Sequence, residues 1–399
     1  MNETDRTTPV IAAAVRTPVG KARGVFSAID AYRLGAIVIR ESVGRAGIDP
    51  AELTETVMGN LLALPGNAAR VCALAADIPE SVPALTLDRQ CASGLDAVAY
   101  AAAMIRAGRG GIYFAGGTES MTRAPHYLER QAKPYSPVPP AFLPAMLTPP
   151  EKGSFTMGET AENLAVRFGI SRERQDRYAS ESHARAWAAT NGELFKSQIV
   201  PVPAGAGGPA GTAAAGETVV RDESIRPDTT PETLARLKPA FSADGTVTAG
   251  NSCPTNDGAG GMIVLSKETA RERGIRWFAE ISDWSSVGLD PRFMGMGPIF
   301  AVRDLLKRTG LSMDSVDLFE LNEAFAVQTL VCVDELGIPE NRLNVNGGAI
   351  ALGHPLGATG AILATKLVYE MERRDAATGI VTMCVGGGQG VAMLFRRKM

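Results

Sequence analysis

A layered α/β fold built from two similar halves is predicted by three observations on this 399-residue sequence. Short buried strands alternate with amphipathic helices from residue 10 onward, the traffic expected when helices cover sheets. One pattern occurs twice: Ala92-Ser93-Gly94, a helix and a strand reaching Gly116-Gly117, then Ala358-Thr359-Gly360, a helix and a strand reaching Gly386-Gly387. Two copies indicate duplicated halves, because a solenoid needs more repeats. Finally, hydrophobic residues make up 45% and aromatics only 6%, with many Gly and Ala, which suits close helix-on-sheet packing better than a surface that stacks bases.

In chain order, residues 10–15 read as a buried strand stopped at Arg16-Thr17-Pro18. Residues 33–46 place Leu34, Ile37, Val38 and Val43 on one helical face, closed by Gly47. A strand end follows at 56–60 and a short helix at 67–76. Residues 84–88 form a strand that runs straight into Arg89-Gln90-Cys91-Ala92-Ser93-Gly94, and 95–106 form an alanine-rich helix. Residues 111–120 read as a strand breaking into a glycine turn. From 121 to about 244 the character changes: 133–144 hold five prolines, 158–191 are helical, and 203–216 are almost all Gly, Ala, Pro and Thr. That stretch reads as an inserted loop domain. Strand character returns at 246–249 and 261–265, then at 316–326 with a helix start, and at 379–388 with a glycine turn. After His354-Pro355 a helical pattern begins, with one apolar and one polar face. The expected division is a first half over 1–121 and 246–272, a loop domain over 122–245, and a second half over 273–399.

Net charge is −3 with Lys and Arg scattered, which argues against nucleic acid or a membrane surface as the partner. The five cysteines, 72, 91, 253, 332 and 384, form no CxxC pair and no framework, so neither disulfides nor a metal site is expected. No apolar run approaches the roughly 18 residues of a membrane span. The polar N-terminal residues resemble no secretory signal and the last residues no peroxisomal address, so a cytoplasmic protein is expected.

Cys91 lies at a strand-to-helix junction, where unpaired backbone N–H groups and the helix dipole should lower its thiol pKa. His354, one of only three histidines, sits among Gly347, Gly348, Gly353, Gly357 and Gly360 on a tight loop before a helix. It is either a general base or oxyanion donor, or a histidine satisfied locally in a structural turn. Duplicated halves would bring Cys91 and His354 to the same end of equivalent helices. With Cys384 on a glycine turn and Asn322, they form the candidate set. A cysteine with a histidine suggests covalent acyl transfer. A cysteine protease is one reading, but it leaves Cys384 unexplained.

Four motifs then carry a resemblance over nearly the whole chain: Arg89-Gln-Cys91-Ala-Ser-Gly-Leu95, Asn322-Glu-Ala-Phe-Ala326, Gly353-His-Pro355 and Cys384-Val-Gly-Gly-Gly-Gln-Gly390. In this order they resemble the thiolase family of acetyl-CoA acetyltransferases and 3-ketoacyl-CoA thiolases. The resemblance implies a five-layer α-β-α-β-α fold, two halves with a loop domain, and a homodimer or homotetramer. It implies CoA-dependent cleavage of a 3-ketoacyl-CoA to acetyl-CoA and a shortened acyl-CoA, or the reverse Claisen condensation. Cys91 would be the acyl-carrying nucleophile, His354 its proton acceptor, Cys384 the acid or base at the enolate carbon, and Asn322 the holder of an oxyanion water. The backbone N–H groups of Cys91 and Gly386 would serve the tetrahedral intermediate. Met157, Ser252, Cys253, Ala324 and Phe325 would contact substrate and CoA, with CoA a substrate and no cofactor or metal required. The chain departs from many acetyl-CoA-specific members, with Thr156-Met157-Gly158 for His-Met-Gly and Gly250-Asn-Ser-Cys253-Pro for Gly-Asn-Ala-Ser-Gly.

Two other readings fit parts of this. A decarboxylating ketoacyl synthase shares the duplicated fold but normally pairs its cysteine with two histidines or a histidine and an asparagine. An inactive acyl-CoA-binding scaffold would be expected to have lost one of the four residues. In the proline-rich loop, Val138, Phe142, Leu143, Met146 and Leu147 are expected either to line an apolar tunnel for longer acyl groups or to pack against a neighbouring subunit. Cys91 and Cys384 should lie close enough for oxidation to join them.

Overall fold

A computed structural model describes residues 3–131, 133, 135, 138–143, 145–204 and 217–397. Residues 205–216, most of the expected Gly-Ala-Pro-Thr stretch, lie outside the described residues, as do Pro134, Pro137 and Pro144 of the proline-rich loop.

Strands β1 (Pro9–Arg16), β2 (Glu55–Gly59), β3 (Ala84–Leu87), β4 (Ile112–Ser120) and β5 (Asn256–Ser266) pair in the order β3-β2-β4-β5-β1. Strands β6 (Glu280–Gly288), β7 (Leu318–Leu321), β8 (Thr378–Val385) and β9 (Gln389–Arg396) pair as β7-β8-β9-β6. In the first half β3, β2 and β4 run parallel and β5 is antiparallel to both β4 and β1; in the second half β7 and β8 run parallel and β9 is antiparallel to both β8 and β6. The second half has no full counterpart of β3. A single parallel bridge, Phe319 to Leu343, stands in its place. The two halves join into one continuous sheet at β1 and β6, where Val10 pairs with Glu280 and Ile11 exchanges backbone hydrogen bonds with Phe278 and Ala279.

Five layers result. Helices α1 (Ala31–Ala46) and α2 (Ala68–Ala75) cover the outer face of the first sheet. Helix α3 (Ser93–Arg106) lies in the middle, followed in the chain by α4 (Met157–Phe168) and α5 (Arg172–Asn191) outside. Helices α6 (Gly297–Thr309) and α7 (Ala326–Leu336) cover the second sheet, with α4 and α5 joining their apolar core. Helix α8 (Leu356–Arg373) fills the middle beside α3, its core partners coming from both sheets. Three cores are thus stacked between the five layers.

Three expectations fail for identifiable reasons. Gly116-Gly117 is no turn, because β4 continues to Ser120. A Cβ on Gly117 would come within 2.0 Å of the Gly357 carbonyl, so the glycine is there to let α8 lie on the strand. Residues 246–249 join no ladder, since the Glu162 carboxylate accepts the Thr246 and Val247 N–H groups instead. Helix α8 has no solvated polar face: Lys366 and Glu370 are buried, because the helix is enclosed by both sheets.

Candidate active site

Helices α3 and α8 start at the same end of the middle layer and touch there. A Cβ on Gly94 would lie 2.7 Å from the Gly357 oxygen, and one on Gly360 would lie 2.3 Å from the Leu95 nitrogen. Only backbone-to-backbone contact fits such spacing. The turn before α3 holds Cys91, and the turn before α8 holds His354.

The Cys91 turn is braced locally. The Ser93 hydroxyl donates to the Gln90 carbonyl and accepts from the Arg89 N–H, while Gln90 takes a positive φ of 48°. Opposite it, β8 ends on Cys384 and Val385, and the turn to β9 needs Gly387 and Gly388, each at φ 83°. The Gly386 N–H of that turn is near enough to Cys91 to favour its thiolate. Cys384 is fully buried at the end of β8, and Cys253 is held next to Ala324 by its N–H to the Ala324 carbonyl, 3.1 Å. Cys91 raises the thiol pKa of both Cys253 and Cys384, and Cys332 and Cys253 raise that of Cys384 further, so these sulfurs lie near one another. All five cysteines are free.

The lowered thiol pKa expected for Cys91 does not hold. Burial pushes it up to about 11, and the charges of Glu119 and Asp88 push the same way, against the N–H groups of Gly386 and Cys91 itself. Desolvation of a thiolate outweighs the two donors here. His354 moves oppositely: it is 3% exposed and burial lowers it to about 4. The resting pair is therefore neutral thiol and neutral imidazole.

Hydrogen bonds fix the imidazole tautomer. The Thr359 hydroxyl donates to the Pro355 carbonyl at 2.8 Å, so it accepts from His354 Nδ1 at 2.6 Å. Nδ1 then carries the proton and Nε2 keeps a lone pair. Nε2 faces the amide nitrogen of Asn322 at 3.4 Å, and the His354 N–H donates to Asn256 Oδ1 at 2.9 Å. Asn322 Oδ1 is buried with no partner, as an amide that holds a water or a substrate group would be.

The remaining sequence-predicted residues form a neighbouring wall. Ser252 pairs with Phe325 across an isolated bridge, and Cys253 with Ala324. Phe325 meets Phe241 edge to face at 6.1 Å, and Phe241 covers Gly158 beside Met157, which packs into the same core. Sequence reasoning missed Phe241, for which there is no local signal. It also missed Thr359, whose position five residues after His354 in the repeated Ala-Thr-Gly was a usable one.

Among the described residues the expected acyl tunnel is not formed. Val138, Phe142, Leu143 and Met146 are 68, 69, 50 and 76% exposed, on an arm where Tyr127–Leu128 pairs with Phe142–Leu143. Only Leu147 turns inward, its methyls 3.6 Å from where a Gly386 Cβ would stand. Among the described residues no group of His, Cys, Asp and Glu could hold a metal ion, and no helix is long and apolar enough to cross a membrane.

Comparison with known proteins gives matches over nearly the whole chain. Residues 9–268 match the family described as thiolase, N-terminal domain, and residues 275–397 match thiolase, C-terminal domain. The chain is 42% identical over 395 residues to an acetyl-CoA acetyltransferase of Pseudomonas aeruginosa, covering 97% of this chain and 99% of that protein. It is 43% identical over 401 residues to a 3-ketoacyl-CoA thiolase of Klebsiella pneumoniae, covering 97% and 99%. The crystal structure of the Bacillus anthracis acetyl-CoA acetyltransferase superposes with a TM-score of 0.91 at 39% identity, covering 98% of each chain.

Proposed function

This chain belongs to the thiolase family and is an acyltransferase acting on acyl-CoA and CoA, and we propose that Cys91, His354, Cys384 and Asn322 carry its chemistry. In the thiolytic direction the Cys91 thiol gives its proton to His354 Nε2 as the sulfur attacks the keto carbon of a 3-ketoacyl-CoA. The oxygen of the tetrahedral intermediate receives the N–H groups of Cys91 and Gly386. Collapse breaks the bond between the α and keto carbons, leaving the acyl group on Cys91 and the enolate of acetyl-CoA.

Once protonated, His354 Nε2 becomes a donor to the enolate oxygen, beside a water held by Asn322 Oδ1. Each such donor is typically worth about 3 kcal/mol in the transition state. Cys384 protonates the enolate carbon and, as thiolate, then takes the proton of the incoming CoA thiol, whose sulfur displaces Cys91, and the released Cys91 thiolate recovers its proton from His354 Nε2. Condensation is the same path reversed. CoA is a substrate throughout, and no step calls on a cofactor.

The observation that carries this reading is the backbone contact of α3 with α8, which sets the Cys91 and His354 turns side by side, with His354 Nε2 3.4 Å from the Asn322 amide. An acyl-enzyme predicts that labelled CoA exchanges into acetyl-CoA in the absence of any second acyl acceptor. No exchange, with full thiolysis activity, would exclude the covalent route.

Met157, Ser252, Cys253, Ala324, Phe325 and the added Phe241 form the proposed wall for the pantetheine arm. Leu147 bounds the acyl end. Each methylene admitted to an apolar site contributes about 0.8 kcal/mol, roughly fourfold. Leu147→Ala should therefore raise kcat/KM for thiolysis of 3-ketohexanoyl-CoA relative to acetoacetyl-CoA by several-fold. An unchanged ratio would place the acyl end elsewhere. The exposed arm around Phe142 is proposed to seat on a second copy in a homodimer or homotetramer, supported by its Tyr, Phe, Leu and Met side chains standing in solvent. The bacterial relatives support a cytoplasmic setting.

A further inference from the structure

Helix α8 carries a cation into a dry layer. Lys366 is 2% exposed, and its ammonium donates to Glu320 Oε2 at 2.7 Å and to the Gly347 carbonyl at 2.8 Å. Glu320, 1% exposed, is the third residue of β7, whose end leads into Asn322. Gly347, at φ 75°, lies in the loop that runs to His354. One ammonium thus joins the two arms that carry the enolate-binding groups.

Stability alone gives little reason for the pair. Desolvating two charges often costs as much as their attraction returns, and apolar residues of similar volume serve as well or better. Burial raises the Glu320 carboxyl to about 7 against the pull of Lys366, while Glu323 and Glu370 add like charge nearby. Other ties hold the opposite face of the same junction. The Asn344 side chain accepts from the Leu321 N–H and donates to the Leu321 carbonyl, and Glu323 accepts from Tyr178, Ser182 and the Ile350 N–H.

Lys366 acts from the inner face. It stands seven residues, two turns, after Thr359, so one face of α8 holds both the imidazole of His354 and the loop leading to it. We propose that Lys366 is a positioning residue, which sets the separation of His354 and Asn322 by tying the Gly347 carbonyl to Glu320 at the end of β7. The proposal rests on the roles assigned above to His354 and Asn322. A displacement of about 1 Å at such groups can cost on the order of a hundredfold in rate.

The test compares wild type, Lys366→Met, and a double variant that adds Glu320→Gln. Sites are counted by acetylation of Cys91 with acetyl-CoA, and thiolysis of acetoacetyl-CoA is expressed per acetylated site. Lys366→Met should lose thermal stability, because it leaves a buried carboxylate unpaired. Its kcat per site should fall tenfold or more, with KM changed less than threefold. The double variant should regain most of the stability yet keep the low kcat, since the Gly347 tie is still missing. If the double variant regains wild-type kcat, or if Lys366→Met never loses it, the pair is only structural and the proposal fails. Should Lys366→Met not fold, the double variant decides alone. Wild type that acetylates elsewhere than Cys91 would instead sink the functional reading, so the two failures are distinguishable.

Discussion

Cys384→Ser is expected to lower condensation of acetyl-CoA by about 10²- to 10⁴-fold, the usual range for a positioned acid or base, while acylation of Cys91 survives. In the proposed mechanism Cys384 serves only the enolate carbon. It is fully buried at the end of β8, and burial with its neighbouring thiols raises its pKa well above the ordinary thiol value. As a thiol it is therefore the proton donor of the cleavage direction without any rearrangement. A serine keeps the shape and loses the acidity. Rapid-quench acylation from acetyl-CoA measured beside steady-state condensation separates the two steps. Equal loss of both would show that Cys384 acts on Cys91 and not on the enolate.

His354→Ala carries the second large effect, a loss of about 10³-fold or more in thiolysis, because in the proposed mechanism one ring supplies both the base and, once protonated, an oxyanion donor. The pH dependence tests the same claim in the free enzyme. With the Cys91 thiol at about 11 and the imidazole at about 4, the ion pair is not the resting state. The thiolate fraction below pH 11 then grows about tenfold per pH unit. Alkylation of Cys91 by iodoacetamide should climb with that slope from pH 6 to 9, with no plateau. A flat profile over that range would mean a thiolate already formed at neutral pH and would contradict the neutral resting pair of Cys91 and His354.

Much of the candidate site was legible in the sequence because its residues are concentrated at element ends. Cys91, His354 and Cys384 each sit beside glycines whose spacing marks a turn, and the repeated Ala-Ser/Thr-Gly pointed to equivalent helices. Those glycines meant different things in three dimensions. Gly387 and Gly388 supply left-handed turns, whereas Gly94, Gly117 and Gly360 admit a neighbouring backbone. One-dimensional pattern cannot separate these uses. The pKa of Cys91 was misjudged for a related reason: the helix end was visible in the sequence, but the mass of protein around the sulfur was not.

Buried polar residues were hardest to read. Lys366 and Glu370 at helical spacing looked like a solvated face, and only the second sheet above α8 turns them inward. The apolar loop residues failed in the opposite sense. Phe142 and Met146 are hydrophobic and still stand in solvent, because the arm that carries them leaves the body of the single chain.

The most direct measurement of the central claim is the intact-protein mass after mixing with acetyl-CoA, followed by peptide mapping. The account predicts one acetyl group per chain, located on Cys91, chased off by free CoA, and absent in Cys91→Ala. An acetyl group that maps to Cys253 or Cys384, or that persists in Cys91→Ala, would contradict it.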